Sequence, residues 1–402
     1  MTRKDFISKA LALGIGFPFL SAILLESCGK DDSIFPKFKT NFSGKVIIVG
    51  AGAAGLAAGY LLSRYGVEFE IIEAAPVFGG RVKRVDGFAD FPIDTGAEWI
   101  HVDPSILADI INNPDEKANI DIVVYNPQSV KSWNNGKLHA HNYISHFYSE
   151  WKFKNITWHS YFEQYILPHV QSKIVYNKPI VEIDYSGERV VLKTANDETY
   201  QADKVLVTAP IKILQSQLID FQPMLPASKT KAINRIYMGD GIKIFVEFKE
   251  RFYPDMLGFG TVIQAMRDDE KFIYDAAFGK DATKHILALF AINDKATPYA
   301  QLKTKAEIIN KFIAELDEIF EGKASKNYVK HVIQNWSAEP YIQGAYSYSF
   351  DGSQYDIVAE VKKPLLNKVF FAGEALSIDN QATVHGACES AYEVIENMLV
   401  SH

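Results

Sequence analysis

Four β-branched residues, Val46-Ile47-Ile48-Val49, run straight into Gly50-Ala51-Gly52-Ala53-Ala54-Gly55, and an Ala/Leu-rich stretch from Leu56 to Leu62 follows. That order dictates a strand, a tight turn and a helix. The first glycine permits the turn, the second lets backbone approach a pyrophosphate, and the third lets the helix pack on the strand. The helix N-terminus adds free N–H groups and a partial positive charge. Such a turn alone also occurs without a ligand. Here the second strand, Val67 to Ile72, ends in Glu73, where a ribose-binding acid belongs. A carboxylate there accepts from ribose hydroxyls and repels a 2′-phosphate, which disfavours NADP. Gly79-Gly80-Arg81 follows, and its guanidinium suits a diphosphate. By itself that triplet is an ordinary surface turn; after a complete βαβ start it points to FAD held along its length.

The 402 residues suffice for two domains with substantial cores. The charge is mildly acidic at −7 and no basic stripe is present, which gives no support to nucleic-acid binding. Only Cys28 and Cys388 are present, with neither metal-type spacing nor a redox pair, so no metal site is expected. Cys388 reads as a small buried residue. Residues 1–27 read as a bacterial export signal: Arg3, Lys4 and Lys9 precede an apolar run from Leu11 to Leu25 too short and too broken to span a bilayer. Leu25-Glu26-Ser27-Cys28 resembles a lipobox, and Thr2 to Ile7 a twin-arginine signal with one Arg replaced by Lys. The expectation is an exported, envelope-anchored protein lipidated at Cys28.

The chain divides into a linker (28–43), a first dinucleotide segment (44–103), a helical, aromatic-rich subdomain (104–170), a β-meander (171–215), a substrate domain (216–350) and a closing segment (351–402). In 104–170, Tyr143, Phe147, Tyr148 and Trp151 add to the aromatics, and Tyr161, Phe162 and Tyr165 sit at helical spacing, which reads as helix packing. In the meander Ile174 to Tyr185 pairs with Arg189 to Thr194. Strands are expected at Lys204 to Val207, Gly241 to Phe248, Phe272 to Phe278 and Ile286 to Ile292, and an amphipathic helix over Thr304 to Phe320. Lys368 to Phe371, Gly373 and a helix from about Gly386 to Leu399 repeat the opening strand–turn–helix form.

Five ordered blocks then resemble the flavin-containing amine oxidase family, which includes monoamine, polyamine and L-amino-acid oxidases and histone lysine demethylases. They are the Gly50 turn with Glu73; Gly79-Gly80-Arg81; Asp94 to His101; Lys243 with Phe248; and Trp336…Gly344-Ala345-Tyr346-Ser347 with Phe371-Ala372-Gly373-Glu374…Ala382-Thr383-Val384-His385-Gly386-Ala387. The resemblance implies an α/β Rossmann-like FAD-binding domain plus an α+β substrate domain with a mixed sheet and flanking helices. It implies FAD, with Glu73 on the adenosine ribose, Arg81 on the diphosphate, and Gly96, Ala97, Glu98 and Trp99 on the flavin side. Val181 would offer backbone to the adenine, Glu374 would bond the ribityl or phosphate region, and Thr383 and Val384 would lie against the isoalloxazine. A solvated turn carboxylate is the plain alternative for Glu374.

Lys243 sits among apolar neighbours, and its pattern alone leaves a surface lysine and a buried functional one equally open. In the family this lysine holds a water near flavin N5. Tyr346 would shape the substrate face, and His101 would line the pocket or be a structural histidine. Two departures stand out. Ala345 occupies the position of the flavin-linking cysteine, so non-covalent FAD is implied. Thr383 stands where covalently flavinylated members have a second tyrosine, leaving half an aromatic cage. The helical segment between His101 and Ile174 also looks short, which implies a more open entrance or a site completed by another subunit. The activity implied is oxidation of a small-molecule amine by O2. L-amino-acid oxidation, C–C desaturation and a flavin-binding protein with a decayed site remain as alternatives.

Overall fold

The computed structural model describes residues 34–113, 118–141, 149–261 and 270–400. The export-signal reading of 1–27, the lipidation reading of Cys28, and Tyr143, Phe147 and Tyr148 lie outside the described residues.

Lys45–Val49 is the centre of a five-stranded parallel sheet in the order Ile174–Val175, Glu68–Ile72, Lys45–Val49, Lys204–Val207, Val369–Phe371. Side chains alternate along a strand. Val46 and Ile48 therefore face the opening helix Ala53–Arg64 and the closing helix Val384–Leu399, while Ile47 and Val49 face the meander side. Both faces are covered, which is why this strand reads as an unbroken apolar run. The meander is antiparallel, Ile180–Asp184 with Val190–Thr194 and then Thr199–Ala202. The expected single strand from Ile174 to Tyr185 is two. Ile174–Val175 joins the parallel sheet, and Lys178-Pro179 separates it from Ile180–Asp184, proline being unable to donate to a ladder.

The substrate domain is built on a seven-stranded mixed sheet in the order Tyr328–Asn335, Gly241–Phe248, His285–Ile292, Lys271–Asp275, Met256–Phe259, Val130–Asn134, Lys137–Ala140. Ile242, Ile244, Val246 and Phe248 pack under the helix Lys305–Ile319, whose Thr304 and Glu307 form a reciprocal capping box. Alternation then puts Lys243 and Phe245 on the opposite face.

Two sequence expectations are corrected. Segment 104–170 has short helices at its ends, Ile106–Ile111, Trp158–Tyr165 and Leu167–Val170, but four strands between them. Val130–Asn134 and Lys137–Ala140 belong to the substrate sheet, and Glu150–Phe153 pairs with Trp99–Ile100 on one side and with Ile122–Tyr125 on the other. These strands are four or five residues long and are specified by distant partners, which a local periodicity does not register. From Ile34 onward the linker is docked: Phe35 is buried, Phe38 stacks on Tyr65, and Thr40 Oγ1 donates to the Leu399 carbonyl. Tyr161, Phe162 and Tyr165 are buried helix-packing residues as expected, and Cys388 is a buried thiol whose ionisation burial pushes up.

Candidate active site

A cavity of about 1150 Å³ runs from the opening turn, past the meander, to the substrate sheet. Gly50 (φ +108°) makes the turn, and a Cβ on Gly55 would meet the Gly50 carbonyl oxygen at 1.9 Å, so both glycines serve the fold. Gly52 is different. A Cβ there would meet only Gly79 O, at 4.0 Å, so its smallness leaves open space on the cavity wall. Gly52 caps the opening helix without a side-chain hydrogen bond, and Ala53, Ala54 and Gly55 form its first turn. Their N–H groups have no intrahelical acceptor. An open backbone cradle and orphan donors at a helix N-terminus fit a diphosphate.

Glu73 lies under that turn. Its Oε2 accepts from Ala51 N at 2.5 Å and its Oε1 from Ala75 N at 2.7 Å, which fixes the carboxylate at the cavity wall. Burial raises its pKa, and the backbone N–H groups oppose the rise. Gly79 and Gly80 both have positive φ, +111° and +57°, and deliver Arg81 to the wall. Val181 is the extra residue of a bulge in the meander: Ile180 pairs with Thr194 and Glu182 with Lys193. It therefore stands out of register at the cavity, with backbone available to a planar ring.

Glu374 follows Gly373 (φ +153°) and joins three distant segments. Its Oε1 accepts from Arg81 Nη1 at 2.8 Å and from Ser347 N at 3.2 Å; its Oε2 accepts from Ala382 N at 3.1 Å and from Ser347 Oγ. The carboxylate is 8% exposed, so the solvated-turn reading does not hold. Arg81 is aimed by it.

At the far end the cavity meets Gly96, Ala97, Glu98, Trp99, Lys243, Trp336, Tyr346, Thr383 and Val384. A Cβ on Gly96 would collide with Arg81 O at 1.8 Å, so the glycine brings the Arg81 and Gly96 loops together. Trp336 donates from Nε1 to the Thr95 carbonyl at 3.2 Å and closes the floor. Thr383 is the N-cap of the closing helix: its Oγ1 accepts from Gly386 N at 2.9 Å and donates to Asn380 O at 2.7 Å. Its hydroxyl proton is thus committed to the backbone. His101 is 35% exposed in its side chain and its Nδ1 lies 3.3 Å from Glu150 Oε2; both line the cavity.

Lys243 is 3% exposed, which rejects the surface reading. Its ammonium donates to Asp94 O at 2.9 Å, Gly96 O at 3.1 Å and Glu98 Oε2 at 2.8 Å. Three hydrogens and three protein acceptors leave none over. This differs from the water-holding lysine implied by the family resemblance. The reason is Glu98, which folds back onto Lys243 and stands also 2.7 Å from Lys152 Nζ.

Sequence reasoning missed an aromatic wall. Tyr346 stacks on Phe290 at 6.2 Å, Phe290 meets Phe272 with tilted rings at 5.1 Å, and Trp99 approaches Phe272 at 6.4 Å. All four line the cavity. Phe290 pairs with Lys243 across adjacent strands, a register that no local sequence signal announces.

A family model described as flavin containing amine oxidoreductase matches residues 161–399, and one for an NAD(P)-binding Rossmann-like domain matches residues 48–111. Lysine-specific histone demethylase 2 of Homo sapiens is 26% identical over 482 residues, covering 96% of this chain and 55% of that protein. Polyamine oxidase 7 of Oryza sativa subsp. japonica is 28% identical over 219 residues, covering 54% of this chain and 46% of that protein. The chain thus spans about half the length of these relatives. The structure of cyclohexylamine oxidase from Brevibacterium oxydans IH-35A has the same fold, with a TM-score of 0.72 at 16% identity over 89% of this chain and 99% of that one. The cofactor of this family, FAD, fits the open cradle at Gly52, the Glu73 carboxylate and the bulge at Val181. With a family match that covers more than half of its length, the chain belongs to the flavin containing amine oxidoreductases.

Proposed function

We propose that this protein oxidises the carbon–nitrogen bond of a primary or secondary amine to an imine, with dioxygen reduced to hydrogen peroxide. The observation that carries the reading is the meeting, at one end of the cavity, of buried Lys243, the Tyr346–Phe290–Phe272–Trp99 wall and the start of the closing helix. FAD, held non-covalently because Ala345 offers no thiol, supplies the two-electron acceptor. The aromatic wall holds the amine's carbon skeleton and excludes water, which favours the neutral amine that can react. Tyr346 shapes the apolar face against which the amine lies. The first-turn N–H groups after Thr383 stabilise negative charge developing beside them. Tyr346, His101 and the neighbourhood of Lys243 are the catalytic assignments, and Thr383 contributes by capping. The amine loses two electrons and two protons, and water hydrolyses the released imine.

The charge pattern supports an amine over an amino acid. Among the described residues, each arginine and lysine lining the cavity faces a carboxylate: Arg81 with Glu374, Lys83 with Glu339, Arg84 with Glu163, Lys178 with Glu198, and Lys243 with Glu98. None is left to receive a substrate carboxylate. Stopped-flow bleaching of the flavin by a panel of monoamines, polyamines and amino acids tests the reading. Monoamines or polyamines should bleach it at least tenfold faster than amino acids, and peroxide should appear on reoxidation. A flavin that no amine bleaches would overturn it. Anchoring at the bacterial envelope through a lipid on Cys28 belongs to the same proposal, and incorporation of labelled fatty acid lost in Cys28→Ser tests it.

A further inference from the structure

Beneath the flavin side of the cavity lies a charge arrangement that the proposed reaction does not itself require. Glu98 is shared between two buried lysines, Lys243 on Oε2 at 2.8 Å and Lys152 on Oε1 at 2.7 Å. Lys152 is 1% exposed and lies behind the cavity wall. Its ammonium meets Glu98 outside hydrogen-bonding geometry and otherwise faces aromatic rings: Trp99 at 4.8 Å, Tyr274 at 5.2 Å and Tyr125 at 5.5 Å from the ring centres. Ring faces attract a cation but carry no charge of their own. Tyr274 completes the cluster by donating from its hydroxyl to Glu98 Oε2.

Two ammonium groups and one carboxylate leave one positive charge in excess. Asp94 and Lys280 also face the cluster. Burial and the charge of Glu98 push Asp94 up to about 8, and burial and Lys152 bring Lys280 down to about 8; as an ion pair or as two neutral groups they add no net charge. Asp275, which also faces Lys152, is paired with Arg251 at 3.2 Å. Burial works to raise Glu98, but the two lysines hold it well below the usual carboxylate range. An uncompensated buried cation is costly, and a simple Glu98–Lys243 pair would have avoided it. The excess makes physical sense if negative charge appears nearby during turnover, and the backbone of Gly96 to Trp99 carries the cluster to the cavity wall.

We propose that Lys152 is a positioning residue for the flavin chemistry: acting through Glu98, it keeps Lys243 a fully bonded, immobile ammonium and supplies the excess positive charge that favours reduced FAD. Electrostatics of this kind tune a cofactor without touching it. The inference rests on FAD filling the cavity and is independent of which amine is oxidised.

The test is the two-electron midpoint potential of the FAD-loaded protein, read by equilibration with reference dyes and no amine present, so that its failure is separable from failure of the proposed activity. Flavin absorbance reports occupancy in each variant. Lys152→Met should lower the ratio of reduced to oxidised flavin at fixed poise about tenfold, or about 30 mV for a two-electron couple. Lys152→Arg should return it to the wild-type value. Glu98→Gln, made with Asp94→Asn so that the neighbouring carboxyl cannot ionise in its place, should shift the potential upward. General damage to the site would move both charge variants the same way, so opposite signs are diagnostic. An unchanged potential in Lys152→Met, or shifts of equal sign, overturns the proposal. Should Lys152→Met not fold with FAD, the Glu98→Gln/Asp94→Asn protein decides alone: an upward shift supports the proposal and any other result rejects it.

Discussion

Glu374 accepts from Arg81, Ser347 and Ala382, so one carboxylate aligns three segments that line the FAD cavity. Replacing it with Gln keeps the shape, removes the charge and gives Arg81 a neutral partner. Hydrogen bonds to charged groups contribute about 1.5–3 kcal/mol, and this one is nearly buried. Glu374→Gln is therefore expected to weaken FAD binding by roughly ten- to a hundredfold, measured by flavin fluorescence on dilution. Lys243 poses a different residue-scale question. Its three hydrogens are held by protein acceptors, so Lys243→Met removes a cation and leaves Glu98 to Lys152 and Tyr274. The expectation is flavin reduction by amines slowed at least a hundredfold, about 2.7 kcal/mol of barrier, with FAD still bound. Single-turnover bleaching checks it. An unchanged rate would remove Lys243 from the chemistry.

At the scale of elements, the opening turn separates what the fold needs from what the ligand needs. Gly55 has no room for a Cβ, whereas Gly52 has space and an ordinary φ of −76°. Gly55→Ala should destabilise the FAD-free protein, while Gly52→Ala should leave its unfolding midpoint within about 0.5 kcal/mol and lose FAD. Equal destabilisation in the two would refute the distinction. Thr383→Ala removes the cap of the closing helix at a cost of about 1 kcal/mol, seen as a lower denaturation midpoint. Elements of this kind were legible in the sequence because their signals are local: β-branched run into glycine turn, amphipathic spacing over Thr304 to Phe320, apolar residues around Lys243 from Ile242 to Phe248. The strands between Ile122 and Phe153 were not. Val130–Asn134 is a strand because Met256–Phe259 lies beside it. The same limit applied within the site. Glu73, Arg81 and Lys243 announce themselves by position in a motif, whereas Lys152 acquires its meaning only when Glu150–Phe153 pairs with Trp99–Ile100 and carries it under Glu98. Charge pairing across 54 residues has no sequence signature.

Across the whole molecule, two buried groups set opposite limits on stability against pH. Burial depresses His385 to about 3, and its Nε2 has no hydrogen-bond partner among the described residues. The unfolded chain takes up this proton below about 6.5 while the folded protein resists it, so stability falls as pH drops from about 6.5 toward 3. Asp94 acts in the other direction. Its carboxyl is held protonated up to about 8 by burial and by Glu98, whereas in the unfolded chain it ionises near 4. The folded protein therefore binds the extra proton between those values, and stability falls as pH rises through them. Between about 4 and 6.5 the two slopes oppose each other. From about 6.5 to 8 the His385 slope is gone and the Asp94 slope remains, at most about 1.4 kcal/mol per pH unit. Urea midpoints measured from pH 4 to 9 should accordingly peak on the acid side of neutrality. Asp94→Asn should flatten the decline above pH 6.5 and leave the acid limb in place; His385→Gln should flatten the acid limb and leave the alkaline decline. A decline above pH 6.5 that survives in Asp94→Asn would mean that another buried carboxyl holds the proton, with Asp275, which burial also raises, the next group to replace.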